Sequence, residues 1–174
     1  MKRLLVGLGL AAALSSCVGT GLITVFGGNI DFVSSYALRQ GSSDTAVICR
    51  NRDTNVSLAF NFEGRPENFR SFRAVLTGRT TSQEYRSPVL NVSPQPSPGV
   101  TVNGSRVSVE FGFPVNTVPY DARVSPQAVI VTPIQQSANR IGTLDLTLSI
   151  TDSSGTTATS SVLVPGIPVY DNCQ

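Results

Sequence analysis

Apolar and polar residues alternate with a period of two along much of this chain. Leu58, Phe60 and Phe62 alternate with Ser57, Ala59, Asn61 and Glu63. Val107, Val109, Phe111 and Phe113 alternate with Ser108, Glu110 and Gly112. Leu144, Leu146, Leu148 and Ile150 alternate with Asp145, Thr147, Ser149 and Thr151. This period places one face of a β-strand in a core and the other in water. Ala128-Val129-Ile130-Val131 is apolar on both faces and predicts a more enclosed strand. Further candidate strands are 22–26, 30–38, 45–49, 70–77, 83–92 and 157–164.

Two hairpins follow from turn chemistry. Asn103-Gly104 suits a two-residue type I′ turn, which pairs Val102 with Ser105 and Val100 with Val107. For Asp152 to Thr156, a three-residue loop over Ser153 to Gly155 keeps the apolar faces together. It pairs Ile150 with Ala158 and Leu146 with Val162, with Gly155 left-handed. Residues 65–69 read as a loop or short turn leading into a strand. A helix is the alternative, because Pro66 and Glu67 suit a helix start and Phe69, Phe72 and Leu76 have helical spacing.

Ser93-Pro94-Gln95-Pro96-Ser97-Pro98-Gly99 is the clearest break in the pattern, since proline cannot donate to a ladder. Splitting the chain there leaves halves small for sandwich domains. The prediction is therefore a single domain over 22–174, with 93–99 as a connection between its sheets. Its class is all-β: a two-sheet antiparallel sandwich of about eight to ten strands. The C-terminal hairpin from Thr143 to Val164 resembles an immunoglobulin-like sandwich, without the Trp or the Cys-Trp-Cys framework of true immunoglobulin domains.

The first 17 residues follow a different pattern. Lys2 and Arg3 precede an apolar run from Leu4 to Leu14, too short to span a bilayer. Ala11-Ala12-Ala13 fits ordinary secretory cleavage. Leu14-Ser15-Ser16-Cys17 resembles the lipobox of bacterial lipoproteins. That resemblance implies a signal peptide over 1–16, acylation of Cys17, and a short tether over 17–21. It implies a membrane partner through the N-terminal lipid and a location in the cell envelope. Val18 rather than Asp follows Cys17, which in such lipoproteins favours the outer membrane where the host has one. Two or three acyl chains anchor a protein stably, whereas one does so only marginally. The chain has three Cys. Lipidation uses Cys17, which leaves Cys49 and Cys173 to pair in an oxidising compartment.

Charge and missing residue types narrow the function. Without the leader, eleven Arg face eleven Asp and Glu, so the side chains sum to neutrality. A neutral domain gives no general electrostatic case for nucleic acid. Arg65, Arg70, Arg73, Arg79 and Arg86 crowd one stretch, where Glu63, Glu67 and Glu84 offer partners. The chain has no histidine. That excludes a Ser-His-Asp triad and removes the commonest general base and transition-metal ligand. There is no phosphate loop or dinucleotide fingerprint, and no cofactor is implied. Glu63, Glu67, Glu84 and Glu110 are the carboxylates available to a glycosidase-type pair. Asp152 suits a turn in which its side chain bonds the backbone. Tyr120 and Tyr170 sit in loop-like stretches and are the candidate ligand contacts. The sequence thus predicts a non-catalytic, lipid-anchored envelope protein that binds another envelope component. A carbohydrate or small-solute binding module is the alternative, with a carboxylate-dependent hydrolase behind it.

Overall fold

The alternating segments form the centre of the molecule. The computed structural model describes residues 18–19, 23–25, 30–113, 115, 123–124, 129–134 and 139–173. The leader, Cys17, Leu22, Phe26, Tyr120 and Ala128 fall outside the described residues. The first strands are β1 (Val18–Gly19), β2 (Thr24–Val25), β3 (Asp31–Ser34), β4 (Tyr36–Gln40) and β5 (Ser43–Cys49). Next come β6 (Thr54–Glu63), a single 3-10 turn at Pro66–Asn68, β7 (Phe69–Gly78), β8 (Glu84–Arg86) and β9 (Leu90–Asn91). Then follow β10 (Val100–Asn103), β11 (Arg106–Phe113), β12 (Arg123–Val124) and β13 (Thr132–Ile134). The last are β14 (Asn139–Asp152), β15 (Thr157–Thr159) and β16 (Val164–Asp171).

These strands make two sheets packed as an all-β sandwich, the architecture of immunoglobulin-like domains. Sheet one has the order β1-β2-β6-β11-β10, with β3 also on β6 and β12 on β11. Sheet two has the order β13-β4-β5-β16-β14-β7-β8, with β9 also on β7 and β15 on β14. Two pairings, β13 with β4 and β16 with β5, are parallel, and the rest are antiparallel. The strands outnumber the expected eight to ten because long candidates are divided and because β1, β12 and β16 are not among the candidates. Segment 30–38 breaks at Ser35, where the chain leaves β6 for β5 and so changes sheet. Segment 83–92 breaks around Pro88. The proline-rich stretch carries the chain from β9 in sheet two to β10 in sheet one.

The core lies between the sheets. Phe60 and Phe62 of β6 meet Phe72 and Phe69 of β7 edge-on, with centroids 5.2 and 5.1 Å apart. All four rings are buried, as are Leu58, Val107, Val109, Leu146, Leu148 and Ile150. Edge-on pairs match the positive ring edge to the negative face and add to area burial. A second, smaller cluster lies outside sheet two: Leu38, Val47, Cys49, Ile134, Tyr170 and Cys173, with Tyr36 against it.

Both hairpins exist, and one register moves. β10 and β11 pair Val102 with Val107, Val100 with Val109 and Asn103 with Arg106. The turn is Gly104-Ser105, one residue later than expected. Gly104 has φ +57°, and Asn103 and Ser105 have no left-handed φ. A turn with one left-handed position, filled by glycine at its first central residue, is type II′. It avoids a left-handed asparagine and sets valine opposite valine, where the expected register set Val102 opposite Ser105. The second hairpin pairs Ile150 with Ala158, and Gly155 has φ +85°. Asp152 caps it: Oδ1 accepts from the Ser154 N–H (2.9 Å), the Thr156 N–H (3.0 Å) and the Ser154 hydroxyl (2.5 Å). Past Thr159 the expectation fails. Leu146 receives the Leu163 N–H and opposes Val164, while Val162 is exposed.

A serine marks the place where β8 leaves β7 and the place where β15 leaves β14. Ala74 N–H donates to Ser87 Oγ (2.9 Å), and Leu148 N–H donates to Ser160 Oγ (2.8 Å). Each serine returns its own N–H, to the Ala74 and Leu148 carbonyls respectively. Each hydroxyl then donates to the next carbonyl, of Pro88 or Ser161. The side chains supply an acceptor that the departing strands no longer provide.

Two further expectations change. Residues 129–131 form no strand, and Ile130 is 80% exposed. Pairing begins only at Thr132, on the outer edge of β4, and among the described residues no strand encloses the run. Conversely, β16 was hidden in the sequence by Pro165 and Pro168. Pro165 and Gly166 lie in a bulge opposite Asp145, with Gly166 at φ +74°. The Thr143 carbonyl accepts from Arg79 N–H, so Thr143 points its ladder groups away from β16. Pro168, opposite Thr143, therefore turns its donorless nitrogen toward β5, whose pairing starts only at Val169.

Candidate functional site

The two ends of the sandwich differ. β1 pairs β2, and β2 pairs β6 at Phe62 and Glu63, the last residues of that strand. The turns Gly104-Ser105, Pro66–Asn68 and Ser153–Gly155 close this end. Pairing therefore begins at Val18, one residue after Cys17, within the 17–21 range expected as a tether. β7 runs ten residues away from this end. At about 3.3 Å per residue, the far end lies roughly 30 Å off.

The far end carries the disulfide and an open cleft. Cys49 and Cys173 are bonded, with Cα atoms 6.0 Å apart. Around the bond, Arg50 pairs with Asp171, Arg52 Nε donates to the Cys173 carbonyl (2.7 Å), and Cys173 N–H donates to Asn51 Oδ1 (3.1 Å). Disulfides persist in oxidising compartments, so this bond marks an extracytoplasmic protein. Among the described residues, no helix is long and apolar enough to cross a membrane.

The cleft measures about 380 Å³. One wall is the turn from Gly78 to Gln83, and the other is Ile141 to Leu144 at the start of β14. Arg79 ties the walls together. Its N–H donates to the Thr143 carbonyl (3.1 Å), and its guanidinium grips Asp145 at 2.7–2.9 Å. The hydrogen bond from Arg79 lowers the Asp145 pKa, burial opposes this, and the Gly166 N–H (2.8 Å) lowers it further. The turn is braced internally by Gly78 N–H to the Gln83 carbonyl (2.9 Å) and Ser82 N–H to the Gly78 carbonyl (2.8 Å). Leu144, Val169 and the ring of Tyr85 supply an apolar floor. Tyr85 also lines a separate small hollow with Ala74, Leu76, Phe111 and Phe113, so it borders both the cleft and the core.

Among the described residues, four of the seven exposed large apolar side chains lie at this end, while Val33, Val89 and Val162 lie along the body of the sandwich. The four are Val115 (41%), Ile130 (80%), Val131 (44%) and Ile141 (40%). Val115 is fixed by its N–H to Asp53 Oδ1, and Thr132 by its N–H to the Ser35 carbonyl.

Of the sequence candidates, Cys17 and Tyr120 fall outside the described residues. Tyr170 is not an exposed loop contact. It lies within β16, is 9% exposed, and packs in the cluster around the disulfide. The prolines that disguised β16 also disguised Tyr170. The carboxylates do not converge. Glu63 and Glu67 lie at the β1 end, Glu84 pairs with Arg86, and Glu110 sits mid-strand opposite Ser57. The arginine-rich stretch is likewise spread along β7 and its flanks, with Arg79 held by Asp145 rather than by the neighbouring glutamates. Among the described residues, no group of three or more Cys, Asp or Glu is placed to hold a metal ion. Sequence reasoning missed Gln83, Tyr85 and Gly142. They come from separate segments, and no local pattern joins them.

No family model matches this chain, and no curated protein matches it. Among solved structures, it is similar to a Niemann-Pick type C2 protein from Japanese carpenter ant. Identity is 13% and the TM-score is 0.40, over 82% of this chain and 89% of that one. At that level no residue or ligand carries over.

Proposed function

We propose that this protein is a lipid-anchored envelope lipoprotein that acts without catalysis, as an interaction subunit of an envelope complex. The polarity of the sandwich is the observation that supports this reading most. Strand pairing starts one residue after Cys17, near a closed end, while four of the seven exposed large apolar residues among those described, and an open cleft, lie at the other end. Acylation of Cys17 holds the first end at the bilayer and turns the second toward the compartment. Clustered exposed apolar side chains mark interaction surfaces. The chain carries no histidine, and its carboxylates are dispersed, which supports a role without catalysis. The absence of Asp after Cys17 favours the outer membrane where there is one.

Two measurements test the reading. Mass spectrometry of the mature N-terminus is expected to find acylated Cys17, and Cys17→Ser is expected to release the protein from membranes. A photo-crosslinker at Ile141 is expected to capture one envelope protein that a crosslinker at Glu67 does not. An unmodified Cys17 refutes the anchor. Equal capture from both ends, or none from Ile141, refutes the presentation.

A further inference from the structure

We infer that the cleft between the Gly78–Gln83 turn and the start of β14 is a binding site for an uncharged saccharide. The inference stands apart from the anchor and holds whether or not Cys17 is acylated. The size, about 380 Å³, falls in the range of small-molecule sites.

The lining chemistry selects the class. Among the described residues, Arg50 is the one charged residue lining the cleft, and Asp171 neutralises it; Arg140 reaches the rim from outside, exposed to solvent and engaged with the Thr143 hydroxyl and the Gly142 carbonyl. A buried ionic group on the ligand would therefore lose hydration without gaining a partner. An acyl chain also fits poorly, because the rim is polar. Tyr85 O–H donates to Gln83 Oε1 (3.0 Å), which leaves the Gln83 amide hydrogens to donate outward. Thr143 Oγ1 accepts from Arg140 Nη2 (2.7 Å), which leaves its own proton to donate. Thr80 adds an exposed hydroxyl. Covering these groups with hydrocarbon leaves them unsatisfied. A sugar ring satisfies both parts of the site: its hydroxyl edge meets the rim, and its C–H face meets the accessible apolar lining, Ile141 and Tyr85.

The site is preformed. Its walls are joined by Arg79 to Thr143 and Asp145, and the turn is bonded to itself, so little ordering remains for a ligand to impose. Gly142 gives direct access to a test. A Cβ built at this cleft-lining residue meets nothing within 4 Å, and its φ lies outside the left-handed region, so a bulky side chain is accommodated at the cleft without backbone strain.

The experiment uses the full chain in a detergent without a sugar headgroup. Saturation-transfer NMR and calorimetry would be run with glucose, galactose, N-acetylglucosamine and their disaccharides. Glucuronate and octanoate serve as the charged and apolar probes. At least one neutral sugar is expected to bind. Gly142→Phe is expected to weaken it by tenfold or more with the melting temperature unchanged. Gln83→Ala, at an exposed position, is expected to weaken it about fivefold, the worth of one hydrogen bond, and carries the test if the Phe variant misfolds. Binding by no neutral sugar overturns the proposal, as does undiminished binding by both variants. Tighter binding of glucuronate or octanoate than of any neutral sugar overturns the ligand class.

Discussion

Replacing both Cys49 and Cys173 by alanine removes one covalent bond and the packing of two buried sulfur atoms in the second cluster. The flanking segments stay clamped by the Arg50–Asp171 pair, by Arg52 to the Cys173 carbonyl and by Asn51 to the Cys173 N–H. The effect therefore falls mainly on the unfolded chain. The bond spans a sequence separation of 124. In the chain-entropy model, closing such a loop is worth ~5 kcal/mol, and measured losses for native disulfides run from about 2 to 5. A loss of about 3–5 kcal/mol lowers the melting temperature of a domain this size by roughly 10 °C. The chain has no Trp and four Tyr, so far-UV circular dichroism or tyrosine emission follows guanidinium unfolding. Two signs are expected: a lower midpoint, and a larger denaturant slope because the unlinked unfolded chain exposes more surface. The wild type under strong reductant should match the double variant. A loss below about 1 kcal/mol with an unchanged slope refutes the reasoning, because the bond then constrains nothing in the unfolded ensemble. Hydrogen exchange adds a local check. β16 meets β5 through only two register pairs, Val169–Ile48 and Tyr170–Cys49, so these amides should lose protection before those of β6 and β7.

Ser87→Ala and Ser160→Ala each strand a buried N–H, of Ala74 or Leu148, and should each cost about 1–3 kcal/mol in equilibrium unfolding. A cost under about 0.5 kcal/mol in both means that another acceptor replaces the hydroxyl. Asp145→Asn should lower stability at neutral pH in a pH-dependent way. Arg79 holds the folded pKa of Asp145 below the ordinary 3.8, so its contribution is complete above that value and is lost as pH falls through the folded pKa. The gap between wild type and variant in a series of melts should therefore close below pH 3.8, and a constant gap down to pH 2 contradicts the assignment.

Local patterns disclosed what local physics decides. The period-two runs at Leu58, Val107 and Leu144 became buried faces of β6, β11 and β14, because alternation has one favourable burial. The count of cysteines left Cys49 and Cys173 as a pair, and they are bonded. Errors arose where a distant neighbour chose the outcome. Asn103-Gly104 carries the strongest short hairpin signal, yet valine-to-valine pairing across β10 and β11 moved the turn to Gly104-Ser105. Val129 to Val131 is apolar enough for an interior strand, but among the described residues it pairs with none, and only the strand that follows it, β13, meets the edge of β4. Pro165 and Pro168 argued against a strand, and a bulge and one outward-facing nitrogen removed the objection. Misreading β16 then misplaced Tyr170, which the prolines had made look like a loop tyrosine.

The candidate site was less legible than the fold for a related reason. At the β1 end, the hairpin connections Gly104-Ser105 and Ser153–Gly155 are two- or three-residue turns, the second bonded to its own backbone by Asp152. At the opposite end, the turn from Arg79 to Gln83 is longer and folds against β14, with Arg79 holding it off the strand face at a fixed distance. The cleft exists because of that spacing, and the spacing depends on Asp145, which is remote in sequence from the turn it anchors. Any pattern search along the chain sees an arginine among arginines and an aspartate on the wet face of a strand. Only the register of β14 against β7, with Leu144 opposite Gly78 and Asp145 opposite Thr77, brings the two together. Longer connections on a rigid scaffold are where binding residues collect. In this molecule they lie at the end away from β1, which is also where an anchor at Cys17 would leave them free to meet a partner.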